Sequence, residues 1–365
     1  MRILVLTSRY TATRDIIGED FGRQTRIFSE LKKLNHDIDF LCADYKKKEN
    51  RNLKLHGINI LIRPFSLGQF FRFINQLKSL IKNNKYDLMV ATSDPLWGII
   101  GYHYARKHKV RFLYDLHDNY ETYLSYGIPF LGMLDKKVIR KADLVTVVSP
   151  SLKKKLSNIR KRDISVIENG ADLKLFTPKN KIVSRKKLNL PIDRKIIAYA
   201  GTLQKMQGTH ILLDAYDKIK GDSESILLVL AGRIRKGSGE KINLNRQGVL
   251  WLKKLSQKDV VDLINAADLV VIPNTSNEFT KYCFPYKIVE YMACNANIVA
   301  TEVGDVSNLL PKKVLCMPNN ADELAKIIEN NLNSSKTNYR KQAKKYSWQN
   351  IVKKLDNIIS SAPKS

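Results

Sequence analysis

The sequence predicts an α/β protein made of two doubly wound domains, each a mainly parallel sheet with helices on both faces. Short apolar runs rich in Val, Ile and Leu alternate with longer segments of helical spacing along the 365 residues. Such alternation is typical of parallel α/β sheets. It stops once, in a Lys-rich stretch that ends at Leu190-Pro191, and then starts again. We therefore expect a linker between two domains.

The first domain is predicted to cover residues 1–172. It begins with a buried strand at 2–7, a polar loop and a helix over 21–35, and a second strand follows at 38–42. This order is the start of a right-handed strand–helix–strand unit. The same periodicities predict further strands at 58–63, 88–91, 111–115, 144–148 and 164–167. They predict further helices at 70–83, 96–107, 132–141 and 151–156.

The second domain is predicted to cover residues 195–338, after a linker at 173–194. Its strands are expected at 196–200, 226–230, 249–252, 269–272, 298–300 and 314–317. Its helices are expected at 210–218, 258–267, 286–293 and 321–330. A terminal helix and tail, residues 339–365, is expected to pack back on the first domain. Ligands bind at the carboxyl ends of the strands in such sheets, so we expect the site in a central cleft that both domains face.

The charge balance limits the classes of partner that the protein is expected to bind. The chain has 63 Lys and Arg against 35 Asp and Glu, a net charge of +28 that is spread over the whole sequence. A protein this basic is attracted to nucleic acid, an acidic membrane face or phosphorylated small molecules. Nucleic acid is the least favoured of these, because no nucleic-acid module is recognisable and aromatic residues are not interleaved with the basic runs.

The cysteines and the apolar runs suggest a compartment. The four cysteines form no C-x-x-C pair, which argues against a structural zinc site and a disulfide scaffold. No apolar stretch reaches the ~18 residues of a membrane-spanning helix, and the first apolar run is too short for a signal peptide. We expect a cytoplasmic protein that is peripheral to a membrane at most.

Familiar nucleotide fingerprints are missing. No G-x-G-x-x-G follows a predicted first strand, and the glycine-rich run that begins at Gly232 lacks the lysine of a P-loop. The sequence therefore lacks the main evidence for a dinucleotide oxidoreductase or a P-loop ATPase. Gly201 directly follows a strand and Gly208 precedes a helix, where backbone N–H groups can hold a phosphate. A plain turn between strand and helix is the alternative.

The segment from Pro285 to Ala293 is a second candidate phosphate site. Pro285 suits the first turn of a helix, whose N-terminus attracts anions. Lys287 places a cation there against the helix dipole, which indicates an anionic ligand. Glu290, one turn later, can accept hydrogen bonds from sugar hydroxyls. The alternative is an ordinary amphipathic helix that buries Ile288, Val289 and Met292.

His117 and Asp118 are the catalytic candidates of the first domain. They follow the predicted strand at 111–115, and a histidine at the carboxyl end of a strand can donate or accept a proton near neutral pH. The neighbouring carboxylate favours a catalytic role. A purely structural histidine is the alternative.

In their order and spacing these segments resemble the family 4 glycosyltransferases, which have the GT-B fold of two Rossmann-like domains. The resemblance covers nearly the whole chain and rests on four segments, which are Asn169–Pro178, Ala266–Pro273, Pro285–Thr301 and Tyr346–Trp348. It implies an enzyme that transfers a sugar from a nucleoside diphosphate sugar such as a UDP-sugar. It also implies retention of configuration and no metal cofactor.

The resemblance implies roles for individual residues. Glu290 would bind the ribose, and Lys287 with the backbone from Pro285 to Ile288 would hold the diphosphate. Lys254 and Leu255 would face the base, while His117, beside Asp118, would lie by the transferred sugar. Gly18 in the first loop would approach the phosphates. The further donor-binding candidates are Gly201, Thr202, Lys205, Gln207, Arg233, Tyr282, Phe284, Pro285, Tyr286 and Ile288.

The chain departs from the family pattern where charge matters most. Thr202 and Gln207 stand where the family often has Arg and Lys, which neutralise the leaving diphosphate. We expect a substitute among Lys205, Arg233 and Lys287. Tyr282 replaces a Glu near the sugar, and Glu278 is a looser candidate upstream. An inactive relic of a donor domain is the alternative.

The segment from Gln69 to Lys85 sets one apolar face against basic residues, as in a helix that lies on an anionic membrane. A helix packed on its own sheet is the alternative. We therefore expect transfer to a lipid-linked or polysaccharide-precursor acceptor at the cytoplasmic membrane face. Two other functions stay open: another GT-B enzyme, such as a nucleotide-sugar 2-epimerase, or a non-enzymatic basic protein that binds nucleic acid or membranes.

Overall fold

The computed structural model describes residues 1–11, 14–20, 22–220, 225–234, 242–334 and 337–361. The chain forms two compact units, one of Met1–Asn169 with Trp348–Ser365 and one of Gly170–Ser347. The first unit therefore ends slightly before the predicted boundary at 172. The reason is local pairing, because Ala171 forms a β-bridge with Ser347 inside the second unit.

The first unit is built on an eight-stranded sheet. The described strands of the whole unit, eight in this sheet and two in a separate hairpin, are in chain order β1 (Arg2–Ser8), β2 (Tyr10–Thr11), β3 (Arg14–Asp15), β4 (Asp37–Asp44), β5 (Arg51–Leu55), β6 (Ile58–Pro64), β7 (Leu88–Thr92), β8 (Arg111–Leu116), β9 (Leu144–Val147) and β10 (Ser165–Val166). The sheet order is β10-β9-β8-β7-β1-β4-β6-β5, and β2 and β3 form a separate hairpin. Every pairing in the large sheet is parallel except β5 with β6. The central strands β1 and β4 are almost entirely buried, as a sheet covered on both faces requires.

Five helices of the first unit follow these strands. They are α1 (Arg23–Lys33), α2 (Phe70–Asn83), α3 (Pro95–Lys107), α4 (Leu131–Lys141) and α5 (Pro150–Ser157). The side chains of Asp94 and Ser149 cap α3 and α5, and a proline follows each cap, so both helices start one residue earlier than predicted. Phe21, where the first predicted helix starts, lies outside the described residues.

The apolar face of helix α2 is packed inside the first unit. Phe73, Ile74, Leu77 and Ile81 are buried in the first unit, and Phe73 packs against Trp97 of α3 with ring centroids 5.4 Å apart. Of its apolar residues, Phe71 is exposed. The alternative reading, a helix packed on its own sheet, is therefore the correct one.

The second unit is a fully parallel six-stranded sheet of order β13-β12-β11-β14-β15-β16. Its strands are β11 (Lys195–Ala200), β12 (Ile226–Ala231), β13 (Val249–Trp251), β14 (Leu269–Ile272), β15 (Ile298–Thr301) and β16 (Leu315–Cys316). Its helices are α6 (Lys181–Lys187), α7 (Thr209–Ile219), α8 (Gln257–Ala266), α9 (Tyr286–Ala293), α10 (Ala321–Leu332) and α11 (Arg340–Ala343).

The stretch predicted as a linker, 173–194, is instead an ordered part of the second unit. Its helix α6 is capped by the side chain of Asn180. Arg185 is 3% exposed, donates from Nε to the Ala266 carbonyl at 3.0 Å and pairs with Asp268 at 2.7 Å. A buried guanidinium with these partners fixes the segment against α8 and β14.

The predicted terminal helix is divided between the two units. Residues 340–343 form α11 in the second unit, and α12 (Trp348–Ser361) belongs to the first. Arg111 of β8 donates to the Ile359 carbonyl at 2.9 Å, and His36 Nε2 lies 2.9 Å from Asp356 Oδ1. The prediction that this helix packs back on the first domain is confirmed from Trp348 onward. Among the described residues, no helix is long and apolar enough to span a membrane.

Candidate active site

In the second unit, the loops after β11 and β12 come into close backbone contact at Gly201 and Gly232. Gly232 has a φ of 147°, and a Cβ placed on it would lie 1.7 Å from the Gly201 carbonyl oxygen. The Leu203 N–H donates to the Arg233 carbonyl at 2.9 Å, and the Gly232 N–H donates to the Lys253 carbonyl at 2.6 Å. Glycine is therefore required at this crossing, which gathers the ends of three neighbouring strands at one edge.

Gly208 shapes the start of α7. Its φ is 73°, and an added Cβ would lie 1.6 Å from the Pro273 carbonyl oxygen, at the end of β14. No side chain caps α7. The two glycines singled out in the sequence, Gly201 and Gly208, therefore bound a backbone loop that lies against the neighbouring strand ends.

Lys287 connects the donor-helix candidate to that loop. Its Nζ donates to the Tyr199 hydroxyl at 3.1 Å and to Gln207 Oε1 at 3.3 Å, and it lies 4.4 Å from the centroid of the Tyr199 ring. A Cβ on Gly201 would lie 3.0 Å from the same Nζ. The structure thus brings Gly201, Gln207 and Lys287 together.

The surroundings of Lys287 disfavour its charge. Burial lowers the pKa of Lys287 to about 8, although the nearby Cys283 and Glu290 act in the opposite direction. The two hydrogen-bond acceptors named above, a phenol and an amide, are neutral. A buried ammonium group with neutral acceptors is stabilised by an added anion.

Lys287 is the second residue of helix α9, so its cation lies at the start of that helix. Pro285 is the N-cap residue, one position before the predicted first turn, and no side chain caps the helix. Tyr291 accepts the Ala200 N–H at 3.1 Å, which fixes α9 to the end of β11. Ile288 and Val289 are fully buried. One face of α9 therefore packs in the core, and the face that carries Lys287 is the one that we interpret as ligand-binding.

The other donor candidates have distinct environments. Phe284 is buried and packs on Tyr346 with centroids 5.4 Å apart, so Phe284 and Ile288 can offer only backbone groups to a ligand. Lys205 and Arg233 are exposed, and Glu278 pairs with Lys281 at 3.0 Å. The partly exposed candidates are Thr202, Leu255, Tyr282, Tyr286 and Glu290, and Lys254 is exposed.

The loop that carries Tyr282 is held by polar contacts. Thr280 donates to the Thr275 carbonyl at 2.5 Å, and Asn277 Oδ1 accepts the N–H groups of Phe279 and Thr280 at 3.0 Å. Asn274, at the start of the loop, is buried, and its Oδ1 has no hydrogen-bond partner among the described residues. Sequence patterns singled out none of these side chains, because Asn and Thr are common in any loop.

Gly18 in the first unit lies in a loop held by ion pairs. Its N–H donates to Asp15 Oδ1 at 2.9 Å, and is therefore engaged within the loop. Arg9 pairs with Asp15 at 2.7 Å and with Asp44 at 2.9 Å. Burial opposes the charge on Asp15, but the hydrogen bonds from Arg9 and Gly18 outweigh it and lower the pKa of Asp15.

His117 lies at the end of β8 in a network of hydroxyl groups. Its Nδ1 is 3.2 Å from Thr92 Oγ1 and 3.1 Å from the Tyr120 hydroxyl. Its Nε2 lies 3.5 Å from Asp118 Oδ2 and makes no hydrogen bond within the described part of the chain. Burial lowers the pKa of His117 despite the neighbouring carboxylates. The ring is therefore neutral near pH 7, and its buried Nε2 has a hydrogen-bonding capacity that the described residues leave unused.

Asp118 differs from an ordinary surface carboxylate. Burial raises its pKa, although His117 and a 2.7 Å hydrogen bond from the Tyr123 hydroxyl favour the charged form. The sequence-predicted pair His117 and Asp118 is thus present as neighbours. Gly18 lies on a separate loop after β3.

A buried ion pair beneath His117 was not predicted. Arg23 is fully buried, and its Nη2 and Nε lie 2.8 and 3.2 Å from the two carboxylate oxygens of Asp115. Asp115 also accepts hydrogen bonds from Thr92 and Thr146. The one available signal is a charged residue near the end of an apolar strand, since the two partners are far apart in sequence.

Comparison with known proteins decides the family. Residues 180–350 match the family described as Glycosyl transferases group 1, and residues 25–175 match Glycosyltransferase Family 4. The chain is a group 1, family 4 glycosyltransferase. This confirms the resemblance and the assignment as a glycosyl-transferring enzyme.

Two named glycosyltransferases are similar in sequence to this chain. The protein named as the teichuronic acid biosynthesis glycosyltransferase TuaC of Bacillus subtilis is 26% identical over 359 residues, 90% of this chain and 88% of that protein. The D-inositol 3-phosphate glycosyltransferase of Mycolicibacterium smegmatis is 29% identical over 48% of this chain and 41% of its own length.

Solved structures confirm the fold of the glycosyltransferase. Sucrose-phosphate synthase from Thermosynechococcus elongatus aligns with a TM-score of 0.78 and 18% identity over 99% of this chain and 98% of that one. Anabaena HepE in complex with UDP aligns with a TM-score of 0.77 and 20% identity over 99% of this chain and 100% of that one. The chain therefore has the GT-B fold of two Rossmann-like domains, as predicted.

Proposed function

We propose that this glycosyltransferase moves a sugar, with retention, from a UDP-sugar to a lipid-linked or polysaccharide-precursor acceptor. The position of Lys287 carries the proposal. Its ammonium group lies in the first turn of an uncapped helix, beside Gly201 and the amide of Gln207. A cation, a helix start without a side-chain cap and a glycine backbone at one point favour a diphosphate.

The proposed chemistry needs charge stabilisation at two places. Positive charge develops on the transferred sugar and negative charge on the leaving diphosphate, as in glycoside hydrolysis. Thr202 and Gln207 are neutral, so Lys287 and the N–H groups of α9 take the negative charge, without a metal ion. The exposed cations of the flanking loops, Lys205 and Arg233, assist.

The remaining contacts are proposed from the resemblance to the family. Glu290 accepts hydrogen bonds from the ribose, and Lys254 with Leu255 faces the base. Nε2 of His117 hydrogen-bonds a hydroxyl of the transferred sugar, next to Asp118, and the loop of Gly18 lies by the phosphates. Uridine is supported by HepE, a protein of the same fold whose structures contain UDP and UDP-glucose.

The acceptor class is proposed from similarity and charge. TuaC, which matches most of this chain, is named for the synthesis of teichuronic acid. The net charge of +28 favours binding to an anionic surface. Together these support a role in cell-envelope glycan synthesis, peripheral to the inner face of the membrane.

A nucleotide panel tests the donor proposal. Thermal unfolding of the full chain is measured with UDP, GDP, ADP, dTDP and CMP at low and moderate salt. We expect a selective rise with UDP that survives added salt, because ligand binding stabilises the folded state. A rise with every polyanion that salt abolishes would instead indicate a relic donor site and diffuse charge attraction.

The affinity for UDP is expected to fall at high pH. Protonated Lys287 binds the diphosphate, and in the free protein this group loses its proton as the pH rises through about 8. Binding is therefore strongest below that pH, and we expect a roughly tenfold weaker Kd at pH 9 than at pH 7. Calorimetric titration measures it.

The matched control for the pH effect is Lys287→Arg, whose guanidinium stays charged at pH 9. Its UDP affinity should change much less over the same interval. An equal loss in the wild type and in this variant would assign the pH dependence to another group.

A further inference from the structure

Exposed apolar side chains gather on two segments of the first unit. Leu67 lies just before α2 and Phe71 in its first turn, and Leu124, Ile128, Phe130 and Met133 lie before and within the first turn of α4. Their side chains are between 51% and 100% exposed. We call these six residues the apolar rim. Exposure of this extent is unusual for neighbouring large apolar residues of a protein in water.

The two segments meet at the start of α3. Phe65, just before Leu67, packs on Trp97 of α3 with ring centroids 4.8 Å apart. Ser125, beside Leu124, donates to Asp94, the N-cap of α3, at 3.1 Å. Both halves of the rim are therefore anchored to the same helix turn.

The sheet topology gives the same placement. The connections β6 to β7, β7 to β8 and β8 to β9 all advance in one direction along the sheet. Right-handed crossovers therefore place α2, α3 and α4 on one face, each starting at the carboxyl edge of the sheet. The rim lies along that edge.

Phe130 is held in a conformation that disfavours its side chain. Its φ is 62°, in the left-handed region, and it is the N-cap of α4 without a side-chain hydrogen bond to the helix. Glycine or asparagine suits this position better. The exposed ring makes little compensating contact within the chain, so an apolar partner outside it would account for phenylalanine here.

Charge around the rim identifies the partner. Residues 64–86 contain four Lys or Arg and no Asp or Glu. Residues 122–142 contain four Lys or Arg and one carboxylate, Asp135. That carboxylate is buried and accepts hydrogen bonds from Tyr114 and Tyr126. The exposed carboxylate just before the second segment, Glu121, pairs with Lys136 at 3.8 Å and with Lys155 at 2.6 Å. Cations therefore outnumber exposed anions around the rim.

We propose that the apolar rim inserts into the interface of an anionic lipid bilayer while Arg72 and Lys137 contact the headgroups. Apolar side chains bordered by Lys and Arg are what such an interface binds. A second copy of the chain would bring like charges together. The purpose of this contact rests on the proposed function, since it brings the first unit to a lipid-linked acceptor, but the binding itself does not.

The test is co-sedimentation of the full chain with vesicles of phosphatidylcholine, alone or with about one third phosphatidylglycerol. We expect at least tenfold stronger binding to the anionic vesicles. The variant Phe71→Ser with Phe130→Gly should lose about tenfold of that binding. Its melting temperature should be preserved, because glycine relieves the left-handed backbone at 130. The matched control is Met317→Ser, an exposed apolar residue of the second unit.

Further readouts separate the outcomes. The fluorescence of the tryptophan introduced by Phe130→Trp should be quenched by brominated lipid, because its indole would be inserted among the lipids. UDP binding should be unchanged in the rim variants, so that failure here and failure of the donor proposal are distinguishable. Equal vesicle binding by the wild type and the double variant, no binding by the wild type, or a dimer that the variant dissolves would each overturn the proposal.

Discussion

Replacing Lys287 by alanine is expected to weaken UDP binding by about 100-fold, or about 2.7 kcal/mol. Nζ of Lys287 lies beside Gly201 and Gln207 in the first turn of α9, which is where we propose that the diphosphate binds. Truncating one partner of a desolvated charge pair has effects of this size. Calorimetric titration with UDP measures the change.

The effect on catalysis is expected to exceed the effect on binding. Negative charge on the diphosphate grows as the sugar bond breaks, so a cation beside it stabilises the transition state more than the ground state. Turnover should fall as well as affinity. Lys326→Ala, an exposed site on α10, is the control. Wild-type affinity and turnover in Lys287→Ala would place the donor site elsewhere.

Replacing Arg23 by methionine is expected to destabilise the first unit by about 3–5 kcal/mol. The change leaves Asp115 buried without its guanidinium partner, and it also removes the 2.7 Å hydrogen bond from Arg23 to the Ile167 carbonyl. Burial opposes the charge on Asp115, and Arg23 is what keeps its pKa low. A fall in melting temperature of roughly 10 °C would follow, measured by circular dichroism or calorimetry.

Two variants separate the buried pair from general effects of arginine loss. Arg106→Met removes an exposed arginine 4.0 Å from Asp143 and should change stability by less than about 0.5 kcal/mol. Arg23→Met combined with Asp115→Leu removes both charges and should recover much of the lost stability. If Arg23→Met alone is as stable as the wild type, the pair does not hold this edge of the sheet.

Most of the architecture could be predicted because the central strands are buried on both faces. Such strands must be continuous apolar runs, and the predicted strands agree with β1, β4, β6 to β16 within two residues at either end. Strand β5 was missed because Arg51–Leu55 alternates polar and apolar residues at an exposed edge. The sequence predicts a linker at helix α6 because its seven residues are mostly basic and its buried residues, Ser184 and Arg185, are polar.

Local motifs of the site could be predicted, and long-range contacts could not. Gly201, Gly208 and Lys287 were identified because a βα loop and a helix start each have a short-range signature. The pairing of Arg23 with Asp115 depends on packing that no local pattern encodes. The apolar rim was also missed, because the sequence shows that α2 is amphipathic but not which of its apolar residues the sheet covers.

The central claim, transfer from a UDP-sugar, is tested most directly by following the sugar itself. The full chain is incubated with radiolabelled UDP-sugars and a lipid extract of bacterial membranes, and both released UDP and label in the lipid fraction are measured. We predict that one UDP-sugar gives equal amounts of UDP and lipid-bound label, and that Lys287→Ala abolishes both. UDP binding without any transfer from the UDP-sugars, or label transfer that is unchanged in Lys287→Ala, would contradict the account.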